Sequence, residues 1–137
     1  MLLDQELLNT LTAQAKASPR LRQNYDLRNS EHDQSQRMLN ALEPGTVLPI
    51  HRHLHSSESV AMLRGKAFWI FYDGQGHETS PHLIEAGGET TGIVIPMGQW
   101  HKLESLESGT VIMECKDGAF EPLREEELKL PVGVKDE

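Results

Sequence analysis

The stretch from Gly45 to Gly65, which reads GTVLPIHRHLHSSESVAMLRG, constrains the fold of this chain more than any other. His51 and His53 stand two residues apart, so on an extended strand both imidazoles project from one face. The two serines before Glu58 are typical of a turn, and a hairpin there would bring the carboxylate back beside the histidine pair. Imidazole and carboxylate ligands together suit a first-row metal such as Zn, Fe, Ni or Mn.

A further ligand is expected downstream, because three ligands leave such a metal under-coordinated. His101, at the end of the segment PMGQWH, supplies it. None of these motifs contains a cysteine, and a carboxylate ligand favours an open, exchangeable site over a structural zinc site. His55 shares the strand parity of the histidine pair but lies at the turn. It is therefore a candidate for an alternative ligand, or for a hydrogen bond that orients one.

Two motifs in the chain resemble those of the cupin superfamily. The first is the whole pattern from Gly45 to Gly65, with its histidine pair and its glutamate, and the second has its core at residues 96–101. Thr90 and Ser105 stand where the second motif has glycine and asparagine, and both lie away from the ligand. The resemblance implies a jelly-roll barrel, also called a double-stranded β-helix, that holds one divalent transition metal through three histidines and one glutamate.

Flanking segments narrow this resemblance. They resemble the WbuC family of cupin-fold metalloproteins at Arg20-Leu21-Arg22-x-Asn24, at Arg37 to Gly45 and at Lys116-Asp117-Gly118. The narrower likeness implies an association with cell-surface polysaccharide biosynthesis, and therefore a sugar-like substrate.

Periodicity places these motifs in a mainly β fold. An apolar stripe at helical spacing predicts an N-terminal helix, capped by Asp4 and stopped by Ser18-Pro19, whose stripe faces the core or a partner subunit. The stripe consists of Leu3, Leu7, Leu8, Leu11 and Ala15. About eight short strands follow from Arg37, which predicts a sandwich or barrel. They are expected at 37–43, 46–53, 58–63, 67–72, 82–85, 90–95, 100–103 and 110–116.

We expect these elements to form one domain with three parts. Residues 1–36 would be the N-terminal helix and a polar arm that pack on the barrel, and residues 37–120 the barrel itself. Residues 121–137 would be a C-terminal tail with a short acidic helix at 123–128, which ends before Pro131, and a frayed end at 132–137. A length of 137 residues suffices for one domain with its own core.

The polar segment 18–36 is interpreted either as a solvated linker or as a lid over the barrel mouth. A lid would place arginines over the metal, where they bind carboxylate or phosphate through charge-assisted hydrogen bonds. The ligand would then be a small anion, held by the metal at one end and by an arginine at the other. Candidate substrate-binding residues are Arg20, Arg22, Asn24, Arg37, Asn40, Tyr72 and Trp100.

Strand parity gives three further expectations. Asn40 shares parity with the apolar Met38 and Leu42, so it is a candidate polar group on an apolar inner wall. Arg52 lies between two proposed ligands and must point away from them. On the last strand, Glu114 and Lys116 share one parity and are expected to face outward together. Cys115 would then face inward.

Composition excludes several classes of partner. The net charge of −8 disfavours binding to nucleic acid and to anionic lipid, and no apolar run is long enough to cross a bilayer. The N-terminus lacks the basic region of a secretory signal, and the lone Cys115 excludes an intrachain disulfide, so we expect a cytoplasmic protein. The leucine stripe and the edges of a small open sheet favour a homodimer.

Three functional interpretations stay open at this level. The first is a metal-dependent enzyme, such as a sugar isomerase or epimerase, whose metal polarises a carbonyl or a hydroxyl pair while a nearby base moves a proton. The second is a non-haem Fe dioxygenase, since many cupins with these ligands activate oxygen. The third is a non-catalytic module that binds a metal or a ligand.

Overall fold

Two antiparallel sheets face each other across an apolar core and form the jelly roll. The computed structural model describes residues 1–128. The larger sheet has the strand order β1-β2-β8-β3-β6 and the smaller one β5-β4-β7. The strands are β1 (Arg22–Asp26), β2 (Ser35–Leu42), β3 (Glu58–Arg64), β4 (Lys66–Tyr72), β5 (His82–Glu85), β6 (Gly92–Ile95), β7 (Trp100–Ser105) and β8 (Thr110–Asp117). The mainly β class is thus confirmed.

The core between the sheets takes alternate side chains from each strand. Trp69 and Ile84 of the smaller sheet meet Leu42, Ile95 and Ile112 of the larger one, and all five are almost completely buried. Full burial of an aliphatic side chain of this kind stabilises the fold by about 1.5–3 kcal/mol. Polar residues at the same inward parity therefore lie at the ends of the barrel, where this apolar packing stops.

Helix α1 (Gln5–Ala17) packs on the outer face of the larger sheet. Asp4 caps it by accepting a hydrogen bond from the backbone N–H of Leu7, as predicted. Its stripe is buried against residues of β2 and β8; the cluster includes Leu8, Leu11, Ala15, Leu39, Ala41 and Val111. Most of the stripe is therefore core of the chain itself. The buried part therefore needs no partner subunit to cover it. Leu3, which precedes the helix, is 40% exposed, and Leu7 is half-buried.

The polar segment 18–36 contains an edge strand, which the sequence did not predict. β1 pairs with β2 in antiparallel register, with Arg22 opposite Leu42 and Asp26 opposite Met38. An edge strand with one exposed face needs few apolar residues, so its polar composition does not indicate a linker. Neither the linker nor the lid describes the arm fully, since part of it is sheet.

The segment 46–53 is not the strand that was predicted. Only His51 makes a β-bridge, through two reciprocal backbone hydrogen bonds with His101 at 2.8 and 3.0 Å. Pro49 has no N–H to donate, so the ladder does not continue toward the N-terminal side. The consequence is a loop whose one paired residue is a proposed metal ligand.

Side-chain parity on β8 is the reverse of the expectation. Met113 and Cys115 lie on the outer face of the larger sheet, where they line an apolar groove of about 370 Å³ with Ala61. Ile112 belongs to the core, so Glu114 and Lys116 point into the barrel with it. The burial of Ile112 in the core decides the side-chain parity of β8. This parity places the two charged side chains near the proposed metal ligands.

The C-terminal helix α2 spans Glu125–Leu128, within the predicted 123–128. The predicted helix end before Pro131 and the frayed end at 132–137 lie outside the described residues. α1 and α2 have 13 and 4 residues, so neither of these described helices approaches the roughly 20 apolar residues that a bilayer-spanning helix takes.

Candidate metal centre

Three of the four predicted ligands form a cluster of histidine rings at one end of the barrel. The bridge between His51 and His101 holds these two residues side by side, and their ring centroids lie 4.3 Å apart. His53 adds a third ring, 5.1 Å from that of His51 and 5.9 Å from that of His101. Within residues 1–128, these three are the group whose ligand atoms all lie within 4.8 Å of one another.

Backbone carbonyls fix which nitrogen of two of the rings faces the cluster. The Nδ1 atom of His51 lies 2.9 Å from the carbonyl oxygen of Pro49, and that of His101 lies 2.8 Å from the oxygen of Gln99. A carbonyl only accepts, so each Nδ1 carries the proton and donates it, which leaves Nε2 with a lone pair. The Nε2 atom of His53 is buried without a hydrogen-bond partner. Such an orphaned nitrogen fits a metal ligand.

Glu58, the fourth predicted ligand, touches this cluster through His53. It opens β3, is only 3% exposed, and its Oε2 atom lies 3.2 Å from Nε2 of His53. This close contact between an imidazole nitrogen and a carboxylate oxygen is electrostatic. Lys116 places Nζ 3.6 Å from the same carboxylate oxygen. The carboxylate is thus positioned between an imidazole and an ammonium group.

The electrostatics of the cluster favour neutral imidazoles at His51 and His101 and an ionised carboxylate at Glu58. Burial, with repulsion from His101, lowers the pKa of His51 to about 3, and burial also lowers the pKa of His101. Burial by itself raises the pKa of Glu58, but the contact with His53 and the charge of Lys116 outweigh it and lower that pKa. These are the protonation states that bind a metal cation.

A polar wall lies beside the ligands, and sequence reasoning recognised only one of its members. Asn40 is buried, 8% exposed, and its Oδ1 atom has no hydrogen-bond partner. Glu114 lies beside Asn40 and Glu58 on the inner face of β8 and is half-buried. Burial and then the charge of Glu58 raise the pKa of Glu114 to about 8. The inward parity of Ile112 was the signal that could have placed Glu114 here.

The C-terminal segment fixes the loop that carries His53. The carboxylate of Glu127 accepts hydrogen bonds from the backbone N–H groups of Leu54 and Arg124 at 3.1 and 3.0 Å. The backbone N–H of Arg52 donates to the carbonyl of Glu127 at 2.9 Å. The contacts with the loop join residues more than 70 positions apart, so no local pattern in the sequence indicated them.

Two of the predicted arginines lie at the other end of the barrel. Arg22 is opposite Leu42, which is opposite Thr110, whereas Glu58 is opposite Lys116. Six residues of strand separate these levels, or about 20 Å. The Arg22 guanidinium donates to the carbonyl of Val47 at 2.8 Å, and the carbonyl of Arg20 accepts from Thr46 at 2.7 Å. The expectation that Arg20 and Arg22 face the metal is therefore wrong.

Arg37 and Asn24, two further predicted substrate-binding residues, also lie outside the cluster. Arg37 has the parity of Leu39, which packs under α1, and it pairs with Asp33 at 3.1 Å. Asn24, exposed on the edge strand, lines a separate cavity of about 210 Å³ with Arg37 and Phe120. The structure does not bring these residues together with the histidines.

Tyr72 and Trp100 do not line the barrel mouth. They pack on the outer face of the smaller sheet with Ile50 and Ile70. His101, the residue after Trp100 on β7, has the opposite parity and faces the inside of the barrel. Arg52 points away from the ligands, as predicted, and its guanidinium stacks 4.4 Å from the ring of Trp100. A cation over an aromatic face stabilises this outer surface.

His55 is exposed and lies near the cluster but outside it. With His53 it lines a cavity of about 480 Å³, which we call the mouth cavity, between the loop 53–56 and the segment 117–127. Its role as an alternative ligand or orienting group stays a prediction.

The fold and this site together define a cupin-fold protein with a candidate metal centre. The chain belongs to the family described as a domain of unknown function, DUF6016, whose model matches residues 3–84. A comparison with curated proteins gave no match.

Solved structures with the same fold include several different proteins. The capsular polysaccharide assembling protein CapF from Staphylococcus aureus is 21% identical with a TM-score of 0.68, over 84% of this chain and 33% of CapF. KdgF from Halomonas sp. is 14% identical with a TM-score of 0.58, over 80% of this chain and 86% of KdgF. A variant of Bacillus subtilis oxalate decarboxylase OxdC is 22% identical with a TM-score of 0.52, over 63% and 22%. This chain thus spans about a third of CapF, and the likeness shows the fold alone.

Proposed function

We propose that this chain holds one divalent transition metal through His51, His53, His101 and Glu58 and binds a small oxygen-rich ligand there, sugar-like or anionic. One observation carries the proposal: three histidine rings converge with their ligand atoms within 4.8 Å, and one of these atoms, Nε2 of His53, is buried without a hydrogen-bond partner and lies 3.2 Å from the carboxylate of Glu58. Three imidazoles and one carboxylate leave coordination positions for a ligand.

The identity of the metal is narrowed by the chemistry of the donor set. Imidazole and carboxylate suit Zn, Fe, Ni and Mn, and no thiolate is among the proposed ligands. Bacillus subtilis oxalate decarboxylase, which in one structure has a TM-score of 0.55 to this chain, contains Mn(II) centres. This supports Mn as one of the four candidates.

The chain's own residues would prepare the site for such a ligand. A bound metal would supply a Lewis acid that polarises a carbonyl or a pair of hydroxyl groups. His53 and Lys116 keep Glu58 ionised, and the carbonyls of Pro49 and Gln99 hold two of the rings in place. Asn40 and Glu114 add a polar inner wall beside the ligands, where a hydroxyl group would find partners.

We further propose a role in cell-surface polysaccharide biosynthesis. The support is the likeness in fold to CapF, a capsular polysaccharide assembling protein, together with the resemblance of the flanking segments to the WbuC family. A sugar-like substrate follows from this role and agrees with a polar site.

The proposal is tested by metal titration of protein purified without a metal-affinity tag and stripped by chelator. We expect about one ion of Mn, Fe, Ni or Zn per chain, and a large loss of affinity in His51→Ala and His101→Ala. His32→Ala is the matched control, because its side chain is 88% exposed and lies outside the cluster. Equal affinity in all three variants would overturn the proposal.

A further inference from the structure

The mouth cavity shares a residue with the metal centre. Its volume of about 480 Å³ lies within the range of about 300–1,000 Å³ that small-molecule sites usually have. His53 belongs both to its lining and to the histidine cluster. A ligand in this cavity therefore lies directly against one side of the proposed metal site.

Strand register connects the cavity wall to Glu58. Gln36 of β2 is opposite Lys116 of β8, which is opposite Glu58 of β3, so the three residues lie abreast across neighbouring strands. Two strand spacings separate Gln36 from Glu58, or about 10 Å. Gln36 is half-buried and lines the cavity. One small molecule can thus reach the amide of Gln36 and the metal ligands together.

Charge in the cavity opposes an anion. Its described lining has three carboxylates, those of Asp117, Glu121 and Glu127, against the single guanidinium of Arg124. That guanidinium already lies 3.5 Å from the carboxylate of Glu121. Lys116 lies between Gln36 and Glu58 but is not among the lining residues, and its ammonium group is already 3.6 Å from the Glu58 carboxylate. A carboxylate or phosphate would therefore meet net repulsion in the part of the cavity that lies away from the metal centre.

Hydrogen-bonding capacity in the cavity favours hydroxyl groups. Gln34 and Gln36 carry amides that both donate and accept, and Asp117 at the mouth is exposed and accepts. The carboxylate of Glu127 is already used by two backbone N–H groups, so it shapes the wall. Among the described lining residues, Ala119 is the only aliphatic side chain, which disfavours an apolar ligand.

We infer that the mouth cavity is a subsite for a neutral, polyhydroxylated group, and that the same ligand reaches the metal past His53. This inference rests on the proposed function and narrows it, because it selects an uncharged sugar ring for the part of the ligand that lies outside the metal centre. The alternative hypothesis is an anionic or a cationic group in this position.

Matched monosaccharides separate these classes of ligand. The probes are the neutral D-glucose, D-galactose and D-mannose, the anionic D-glucuronate and D-galacturonate, and the cationic D-glucosamine. NMR titration of the protein loaded with diamagnetic Zn(II) should show at least one neutral sugar perturbing the amides of Gln36 and Gly118, with severalfold weaker binding of the charged analogues. Stronger binding of a uronate or of glucosamine, or no binding of any neutral sugar, would overturn the inference.

Variants test the wall directly. Gln36→Ala should weaken neutral-sugar binding about tenfold, as expected for about one lost hydrogen bond. Gln75→Ala, an exposed glutamine in the turn after β4, should change nothing. The double variant Asp117→Asn, Glu121→Gln should admit the uronates. Equal sugar binding by Gln36→Ala and Gln75→Ala would contradict the assignment.

Metal content distinguishes failure of this inference from failure of the proposed function. The metal is quantified in every titrated sample, and we expect Gln36→Ala to keep it while losing sugar affinity. If no sample retains metal, the proposed function fails. The same titration of metal-free protein then decides the cavity by itself, since perturbation of Gln36 and Gly118 supports the subsite and its absence refutes it.

Discussion

The carboxylate of Glu127 accepts a hydrogen bond from the backbone N–H of Leu54 at 3.1 Å, across 73 residues of sequence. Leu54 lies between His53 and His55, so this contact connects the C-terminal helix to the loop that carries a proposed metal ligand. Glu127 is 8% exposed, and a buried carboxylate that accepts two backbone hydrogen bonds holds its partners firmly. The loop is therefore fixed from outside the barrel.

Glu127→Ala should weaken metal binding about tenfold or more, because groups that orient metal ligands typically contribute about 10–100-fold to affinity. The physical reason is that the backbone N–H of Leu54 loses its acceptor, so the loop holds the His53 side chain less firmly in the position that binds the metal. Competition titration against a chromophoric chelator measures the change. Glu126→Ala is the matched control, since its exposed side chain lies on the same helix. Equal metal affinity in the two variants would show that the contact has no influence on the site.

Arg22→Ala should leave metal affinity unchanged and lower the free energy of unfolding by about 1 kcal/mol. The guanidinium donates to the carbonyl of Val47 at the far end of the barrel, so its removal costs a structural hydrogen bond only. Chemical denaturation and metal titration of the same sample measure both quantities. A loss of metal or ligand binding would restore the lid hypothesis.

Glu114→Gln should alter how stability depends on pH in metal-free protein. The folded pKa of Glu114 is about 8 and its ordinary value 4.5, so between these values the folded state holds a proton that the unfolded state has released. Stability from this group therefore falls as pH rises through that window. The groups that face it are Glu58, Lys116 and Asn40, and they are the same in both proteins.

Thermal unfolding in chelator, at intervals from about pH 5 to about pH 8, measures the difference. We expect the wild type to lose stability relative to Glu114→Gln as the pH rises. A difference in melting temperature between the two proteins that stays constant with pH would mean that Glu114 ionises as an ordinary carboxyl group in the folded protein.

The homodimer stays a prediction, but fewer structural features support it than the sequence suggested. The stripe of α1 is covered by Leu39, Ala41 and Val111, so only the edge strands of the two sheets, β1, β5, β6 and β7, still favour self-association. Light scattering at micromolar concentrations should give the mass of two chains. A monomer mass across the whole concentration range would refute it.

The mainly β class and the histidine pair were predictable because their signals are local, whereas the jelly roll and the place of His101 beside the pair came from the resemblance to cupins. Spacing placed His51 and His53 on one face, and the apolar stripe of α1 gave both its existence and its cap at Asp4. The segment 46–53 was misassigned because a strand and a loop with one bridge, at His51, have the same apolar pattern. β1 was missed because an edge strand needs no apolar alternation.

The rest of the site depends on contacts between distant segments. Glu127 meets Leu54 only after the chain has closed, and Lys116 meets Glu58 through a pairing of β8 with β3. The parity of β8 was read from its charged residues, whereas the buried Ile112 decides it. Arginines close together in the sequence suggested a lid, but the pairing of β1 with β2 places Arg22 at the end of the barrel far from the histidines.

The most direct test of the metal centre is X-ray diffraction at the absorption edge of the metal found in untagged protein. We expect one anomalous peak about 2.0–2.2 Å from the Nε2 atoms of His51, His53 and His101 and from a carboxylate oxygen of Glu58. Crystals grown with excess metal that show no peak at these residues, or histidine side chains that diverge from one another, would contradict a metal centre here.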